Sequence, residues 1–252
     1  MKKHTNKFFI LIFSVVCVAV CVLFANLLSS AITVSGSAKT PSTYSPFTVY
    51  AISLGQYTSK SSAEAICSDV KKKGGAGYVF KEDSLFHVLA SAYEKENDAK
   101  LVQENLIESG IDSTIVKMEI GDASFENVSS SSQMKEFKSA LSALKTAFLS
   151  LYDISVSLDT SATDETKAKI SIIEVKSDLE KNVNSISKGN SSVDGIYYQM
   201  IKNTFDETEE ILIELKDYEN INGITLSSKI KYVYIEVLEK LDDLIKSINN
   251  EI

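Results

Sequence analysis

Residues Phe47–Ile120 read FTVYAISLGQYTSKSSAEAICSDVKKKGGAGYVFKEDSLFHVLASAYEKENDAKLVQENLIESGIDSTIVKMEI, and this stretch decides the fold. Its alternating apolar segments predict four strands. The predicted strands cover 47–54, 76–81, 85–92 and 112–120. Apolar or small residues at helical spacing predict two helices, over 61–73 and 95–109, and each helix ends at a glycine. The order βαββαβ predicts a split βαβ sheet with both helices on one face.

The predicted strands assign their side chains to two faces, because successive side chains of a strand point to opposite sides. The face expected to pack on the helices carries Tyr50, Ile52, Leu54, Phe86, Val88 and Ala90. The face expected to be open carries Val49, Ala51, Ser53, His87, Leu89 and Ser91. This second face is small, flat and more apolar than a solvated surface should be, which indicates a binding surface.

The two halves of this stretch resemble each other. Ser53–Glu64 reads SLGQYTSKSSAE, and Leu89–Lys100 reads LASAYEKENDAK. In each half, a strand ends near a small residue, an aromatic residue follows two positions later, and a polar turn leads into a helix that contains alanine. Such self-similarity indicates one structural unit built from two equivalent halves.

The repeat resembles the SPOR (sporulation-related repeat) domain. In that family, one half has a strand that ends in Val-Gln-Leu-Gly-Ser-Phe and the other has a strand that ends in Val-Gly-Pro-Phe, and each strand precedes a helix that contains alanine. Here Ile52–Tyr57 (ISLGQY) takes the place of the first signature, and Phe86–Tyr93 (FHVLASAY) takes the place of the second. The chain departs from the family at Ser53, His87, Leu89 and Ser91. The resemblance implies a ferredoxin-like βαββαβ module.

The resemblance also implies a function, namely binding of septal peptidoglycan through the sheet face that lacks helices, with a preference for glycan strands stripped of their stem peptides. The candidate glycan-binding residues are Ala51, Ser53, Gln56, Tyr57, His87, Leu89, Ser91 and Tyr93. Small and apolar side chains suit the CH faces of a sugar, while the polar groups bond its hydroxyls. The same surface suits a protein, so the alternative is an interaction module that has lost glycan binding and whose open face instead contacts a partner or the C-terminal bundle. Tyr57 and Tyr93 also fit a purely structural role at the helix starts.

The segment before the module predicts a membrane anchor and a tether. Residues 8–32 contain no charged residue and are long enough to cross a hydrocarbon core of about 30 Å. Lysines precede this run, which predicts that residues 1–7 are cytoplasmic and that the rest of a single-pass chain lies outside the cytoplasmic membrane. Cleavage as a signal peptide is the alternative. Residues 33–46, rich in serine and threonine, contain both prolines and predict an extended tether with little packing.

The segment after the module predicts a linker over 121–132 and a bundle of four antiparallel helices over 133–252. Ser191 with Asp194 has the pattern of a capping box. The last helix starts near Thr225 and carries an apolar seam. Its members are Ile230, Tyr234, Val237, Leu241, Leu244 and Ile248. Seams of this kind also zip between chains, so a homodimer through the helices, or docking on a division or sporulation envelope protein, is a further expectation.

Composition and charge exclude several other functions. The net charge of −8 disfavours nucleic acid as a partner, because a polyanion would be repelled. All 26 basic residues are lysine, which suits an AT-rich genome. Cys67 is expected to be a small buried hydrophobe, because no histidine pair accompanies it. Without a metal-ligand set or a nucleophile and base, the sequence predicts no enzyme, no metal site and no cofactor.

Overall fold

The part of the chain described by a computed structural model, residues 44–189 and 191–250, forms an α+β fold with one four-stranded sheet and six helices. The strands are β1 (Phe47–Tyr57), β2 (Tyr78–Glu82), β3 (Leu85–Tyr93) and β4 (Thr114–Ile120). The helices are α1 (Lys60–Lys72), α2 (Glu96–Glu108), α3 (Ser131–Asp159), α4 (Glu165–Ser185), α5 (Ser192–Lys216) and α6 (Leu226–Asn250).

The sheet has the strand order β2-β3-β1-β4, and every neighbouring pair is antiparallel. This order is that of a split βαβ arrangement, and the predicted succession βαββαβ is confirmed. β1 runs three residues beyond its predicted end at Leu54. The sheet therefore has two edges, β2 on one side and β4 on the other.

One face of the sheet packs on α1 and α2, as the alternation predicts. Val88 lies in a cluster with Ala63, Cys67 and Val70 of α1. Ile52 lies in a second cluster with residues of α2. The other predicted members of this face also lie in these clusters, namely Tyr50, Leu54, Phe86 and Ala90. Cys67 is buried, and its thiol donates a hydrogen bond to the carbonyl of Ala63 at 3.3 Å.

Helices α3 to α6 pack in an antiparallel group in which each contacts the next and α3 also contacts α6. Short polar caps start all four of these helices, and at the start of α6 the Thr225 hydroxyl accepts the backbone N–H of Ser228. Ser130 accepts the backbone N–H of Gln133, and Asp164 accepts that of Lys167. Ser191 and Asp194 form the predicted capping box at the start of α5. These caps satisfy N–H groups that have no partner within the helix.

The four helices form two layers. α6 lies against the second face of the sheet at β2 and β3, and α3 contacts the sheet through two ring pairs, Phe148 with Phe47 and Tyr152 with Tyr93. α4 packs on α3, and α5 packs on α6 and α3. The molecule thus has four layers, with α1 and α2 outside, then the sheet, then α3 and α6, then α4 and α5. A single hydrophobic core joins the sheet to the four helices and includes Leu89 and Val116 beside Phe148 and Leu238.

The connecting segments are packed more closely than the sequence predicts. Within 121–130, Ala123 and Phe125 are buried, and the Phe125 ring lies 5.3 Å from that of Tyr197. Tyr44, at the end of the predicted tether, is also buried and donates a hydrogen bond to the Gly121 carbonyl at 2.9 Å. Asn249, near the end of α6, donates to the Asp122 carbonyl at 3.0 Å. Both ends of the described chain therefore meet at this connection.

The predicted membrane span, residues 8–32, lies outside the described residues, as does most of the tether. Across residues 44–189 and 191–250, none of the helices combines the length and the apolar character that a bilayer crossing requires.

The covered face of the sheet as candidate functional site

The sheet face that was predicted to be open is covered by α3 and α6, so that prediction is wrong. Val49, Ala51 and Leu89 have no solvent-exposed surface, and they belong to the same core as the helix side chains. The apolar character of the face is the physical reason, because each fully buried Val or Leu side chain contributes about 1.5–3 kcal/mol relative to an exposed one. A face of this kind is more stable against an apolar helix surface than in water.

Four specific hydrogen bonds join the sheet module to α6. The backbone N–H of Ala92 donates to Oη of Tyr234 at 3.0 Å. Ser228 donates through Oγ to the Gly75 carbonyl at 2.7 Å, and Lys231 donates through Nζ to the Gly74 carbonyl at 2.8 Å. The Tyr78 hydroxyl donates to the Glu239 carboxylate. These bonds satisfy backbone and side-chain groups that the contact removes from water.

Burial keeps the two interface phenols neutral. It raises the pKa of Tyr234 well above its ordinary value, because the charged phenolate would be removed from water. Burial also raises the pKa of Tyr78, and the hydrogen bond to Glu239 raises it further. Both hydroxyl groups therefore keep their protons, and the Tyr78 hydroxyl can donate its hydrogen bond to Glu239.

Aromatic contacts also join α3 to the sheet. The Phe47 ring lies 6.5 Å from that of Phe148, and the Tyr93 ring lies 6.0 Å from that of Tyr152. Tyr234 of α6 contacts both Phe148 and Tyr152, at 5.8 Å and 6.0 Å between centroids. The three pairs that include Tyr152 or Tyr234 are edge-to-face, a geometry that stabilises them beyond the area they bury, whereas the Phe47 and Phe148 rings are tilted by 34°. The two helices and the sheet thus meet around Tyr234.

A β-bulge changes the direction of Ser91. Ala51 pairs with Ala92 and Ile52 with Ser91, but Ser53 pairs with Leu89, so Ala90 is an extra residue on β3. Ser91 therefore lies on the same side as Ile52, towards α2, where its hydroxyl donates to Oη of Tyr93 at 3.0 Å. The prediction that Ser91 faces away from the helices is wrong, because strict alternation does not survive a bulge.

A second irregularity shapes the end of β1. Ser53 pairs with Leu89 and Gln56 with His87, so Leu54 and Gly55 lie opposite Val88 alone and β1 carries one extra residue. Gln56 is exposed, whereas Tyr57 pairs with Phe86 and packs in the α1 cluster. A Cβ at Gly55 would lie 2.9 Å from the Tyr57 hydroxyl oxygen, so a larger residue at this position would displace the Tyr57 side chain.

The candidate residues are thus dispersed. Ala51 and Leu89 lie under the helices, and Ser53 and His87 are buried with them on the same strands. Tyr57, Ser91 and Tyr93 belong to the side that faces α1 and α2. Gln56 is the exposed member of the set. A continuous glycan-binding face made of all these residues is not present in this arrangement.

The residue types of a hydrolytic triad occur together at Ser53, His87 and Glu82, but a substrate cannot reach the serine hydroxyl. His87 Nδ1 lies 3.4 Å from Ser53 Oγ, and Nε2 lies 3.3 Å from a Glu82 carboxylate oxygen at an angle that makes no hydrogen bond. Ser53 donates its proton to the Gly55 carbonyl at 3.0 Å and not to the imidazole. Ser53 and His87 are fully buried, so a substrate has no path to the hydroxyl.

No protein-family model, curated protein or solved structure matches this chain significantly. The site is therefore interpreted from its own geometry. Across residues 44–189 and 191–250, no group of three or more His, Cys, Asp or Glu side chains is arranged to hold a metal ion.

The sequence does not predict which helix residues cover the sheet, although the apolar pattern of α6 indicates them. Its predicted seam accounts for one buried stripe. Five more of its apolar residues are buried outside that seam, namely Leu226, Val233, Ile235, Leu238 and Ile245. An apolar surface this wide indicates a helix that packs on two sides, in this case on the other helices and on the sheet.

Proposed function

We propose that this chain is a membrane-anchored, non-enzymatic protein of the cell envelope, in which the SPOR-like sheet is a platform for the chain's own helices. The assembled body then serves protein interaction or assembly. The observation that carries this proposal is the burial of Ala51 and Leu89 in one core with α3 and α6.

The energetics of the covered face favour this function over glycan binding at the same place. A glycan could reach the face only after α3 and α6 had separated from it. Separation would expose Val49, Leu89, Val116 and Ile120, each worth about 1.5–3 kcal/mol when fully buried. It would also break the hydrogen bond between Ala92 and Tyr234. Hydrogen bonds to sugar, at about 0.5–1.5 kcal/mol net each, would have to offset this whole loss.

Retention on purified peptidoglycan tests this proposal. The full chain, kept in detergent, is incubated with intact sacculi and with sacculi from which an amidase has removed the stem peptides. We expect equal retention, at background level, on both preparations. Markedly stronger retention on the amidase-treated sacculi would contradict the proposal.

Peptidoglycan binding at a division or sporulation septum is the second candidate function. It is supported by the strand order, which is the one that the SPOR resemblance implies, and by the end of β1. There Gln56 is exposed and Tyr57 is half-buried, so a sugar could contact them without displacing α3 or α6. Glycan binding at this end of the sheet would use a smaller surface than the family resemblance implies.

A pair of glutamine substitutions tests this second function. Gln56→Ala removes the exposed amide of β1, whereas Gln199→Ala removes an exposed amide of α5 and is the matched control. Glycan binding predicts that only Gln56→Ala lowers retention on amidase-treated sacculi and septal enrichment of a fluorescent fusion. Equal behaviour of the two variants would contradict it.

The anchor is part of the proposal and has its own test. Residues 8–32 would span the cytoplasmic membrane, with residues 1–7 inside the cell and the described body outside. Protease added to intact protoplasts should then degrade the body, and alkaline carbonate should not extract the full chain from membranes. Full protection from the protease would contradict this orientation.

A further inference from the structure

β4 is an edge strand whose outer side has no strand partner among the described residues. The sheet order places it at one end, and within residues 44–189 and 191–250 it pairs only with β1. It has seven residues, whereas β2 at the opposite edge has five. The unpaired backbone groups of a long edge strand are a template for a further strand.

The side chains of β4 divide sharply between its two faces. Val116, Met118 and Ile120 are buried in the core that the sheet shares with α3 to α6. Lys117 and Glu119 lie on the opposite face, with 56% and 70% of their side chains exposed, and they contact each other. The solvent-facing side of this edge thus carries one positive and one negative charge, two residues apart.

This charge pattern is complementary to itself. When two β4 strands pair antiparallel with Met118 at the centre, Lys117 of each copy lies directly opposite Glu119 of the other. Opposed charges of unlike sign stabilise a strand pair, and like charges destabilise it. A register centred on Lys117 would oppose two lysines, and one centred on Glu119 would oppose two glutamates. The charges therefore select one register.

The other edge of the sheet lacks this property. Lys81 and Glu82 are adjacent in β2, so their side chains point to opposite faces of the sheet. A twofold axis perpendicular to the sheet keeps each face on its own side, so it cannot bring Lys81 of one copy opposite Glu82 of the other. Self-complementarity is thus a feature of β4 and not a general consequence of charged edges.

We propose that β4 is a homodimer interface at which two copies of the chain pair antiparallel about Met118. The two four-stranded sheets then form one continuous sheet. The twofold axis leaves α1 and α2 of both copies on one side and α3 to α6 on the other. A dimer through the helical seams would use a different surface. The buried side chains of those seams face α3, α6 and the sheet within one copy of the chain. It stands independently of any glycan ligand.

Charge reversal tests the register. The full chain in detergent is studied by size-exclusion chromatography with light scattering, which gives the mass of the protein component. Lys117→Glu places two glutamates opposite each other at two symmetric positions, and Glu119→Lys does the same with lysines. We expect each change to raise the dimer dissociation constant by about tenfold or more. The double variant Lys117→Glu with Glu119→Lys should restore the dimer.

Three results would overturn the proposal. The first is a wild-type chain that stays monomeric at the highest soluble concentration, including the case in which residues 1–43 occupy the edge. The second is a dimer that survives both single variants, which would assign the contact to another surface. The third is a double variant as monomeric as the single ones. Thermal unfolding of every variant distinguishes loss of the dimer from loss of the fold.

Discussion

The hydroxyl oxygen of Tyr234 accepts the backbone N–H of Ala92 at 3.0 Å, across 142 positions of sequence. Ala92 lies in β3, where it pairs with Ala51, and Tyr234 lies in the third turn of α6. Both residues are buried. Loss of this hydrogen bond would therefore indicate that α6 has separated from the sheet.

Tyr234→Phe should destabilise the protein by about 1–3 kcal/mol, because it leaves the Ala92 N–H buried without a partner. Denaturant unfolding monitored by circular dichroism measures this loss. Tyr198→Phe is the control, since Tyr198 is a half-buried tyrosine on α5. An equal effect of the two substitutions would show that the bond to Ala92 contributes nothing specific.

Leu89→Ala should lower the stability of the sheet and of α6 together, by about 2–5 kcal/mol, because Leu89 lies in the core they share. Native-state hydrogen exchange measures the opening free energy of amides in β3 and in α6 separately. We expect both sets to fall by the same amount. Unchanged protection of α6 would mean that the sheet and the helices unfold as separate units.

Stability should fall above about pH 10, and Tyr78→Phe should reduce that fall. Burial holds the pKa of Tyr78 above its ordinary value of 10.0. Below this pH, the folded and unfolded states both hold the phenol proton. Above it, the unfolded chain releases the proton while the folded one retains it, so the free energy of unfolding decreases by about 1.4 kcal/mol per pH unit for each such group.

The measurement for Tyr78 is the denaturation midpoint of wild type and variant between about pH 9 and 11. The variant also loses the hydrogen bond to Glu239, so it begins less stable at neutral pH. The slope against pH is the diagnostic quantity. Parallel curves for the two proteins would assign the alkaline loss to other groups.

Gly77→Ala should be strongly destabilising, whereas Gly121→Ala should be nearly neutral. Gly77 has a φ of +54°, and an added Cβ would lie 2.5 Å from the backbone oxygen of Cys67. The left-handed conformation alone costs an alanine about 1–2 kcal/mol, and the clash adds to it. Nothing lies within 4 Å of a Cβ built at Gly121. Thermal unfolding compares the two variants, and similar transition temperatures would contradict the difference.

Local signals in the sequence predict much of the fold. Glycines after α1 and α2 and the period-two strands predict the order βαββαβ, and the pair Ser191 and Asp194 predicts the start of α5. These features depend on neighbouring residues. They can be predicted because turn and capping chemistry acts over a few positions.

Contact between the covered sheet face and the C-terminal helices is one alternative that the sequence leaves open, and local signals do not select it. The burial of this face depends on contacts between β3 and α6, which are distant in sequence. Strict alternation also misplaces Ser91, because the bulge at Ala90 adds a residue that no local pattern marks. The extra apolar residues of α6, such as Val233 and Leu238, indicate a second packing partner but do not identify the sheet as that partner.

The packed connection after β4 brings the two ends of the described chain together. Tyr44 and Asn249 both bond to it, through the carbonyls of Gly121 and Asp122. The first and the last part of the described chain therefore lie next to the same connection. A reporter or binding tag joined after α6 would sit beside the entry point of the chain, and a permuted chain that links these two ends would leave every layer of the body in place.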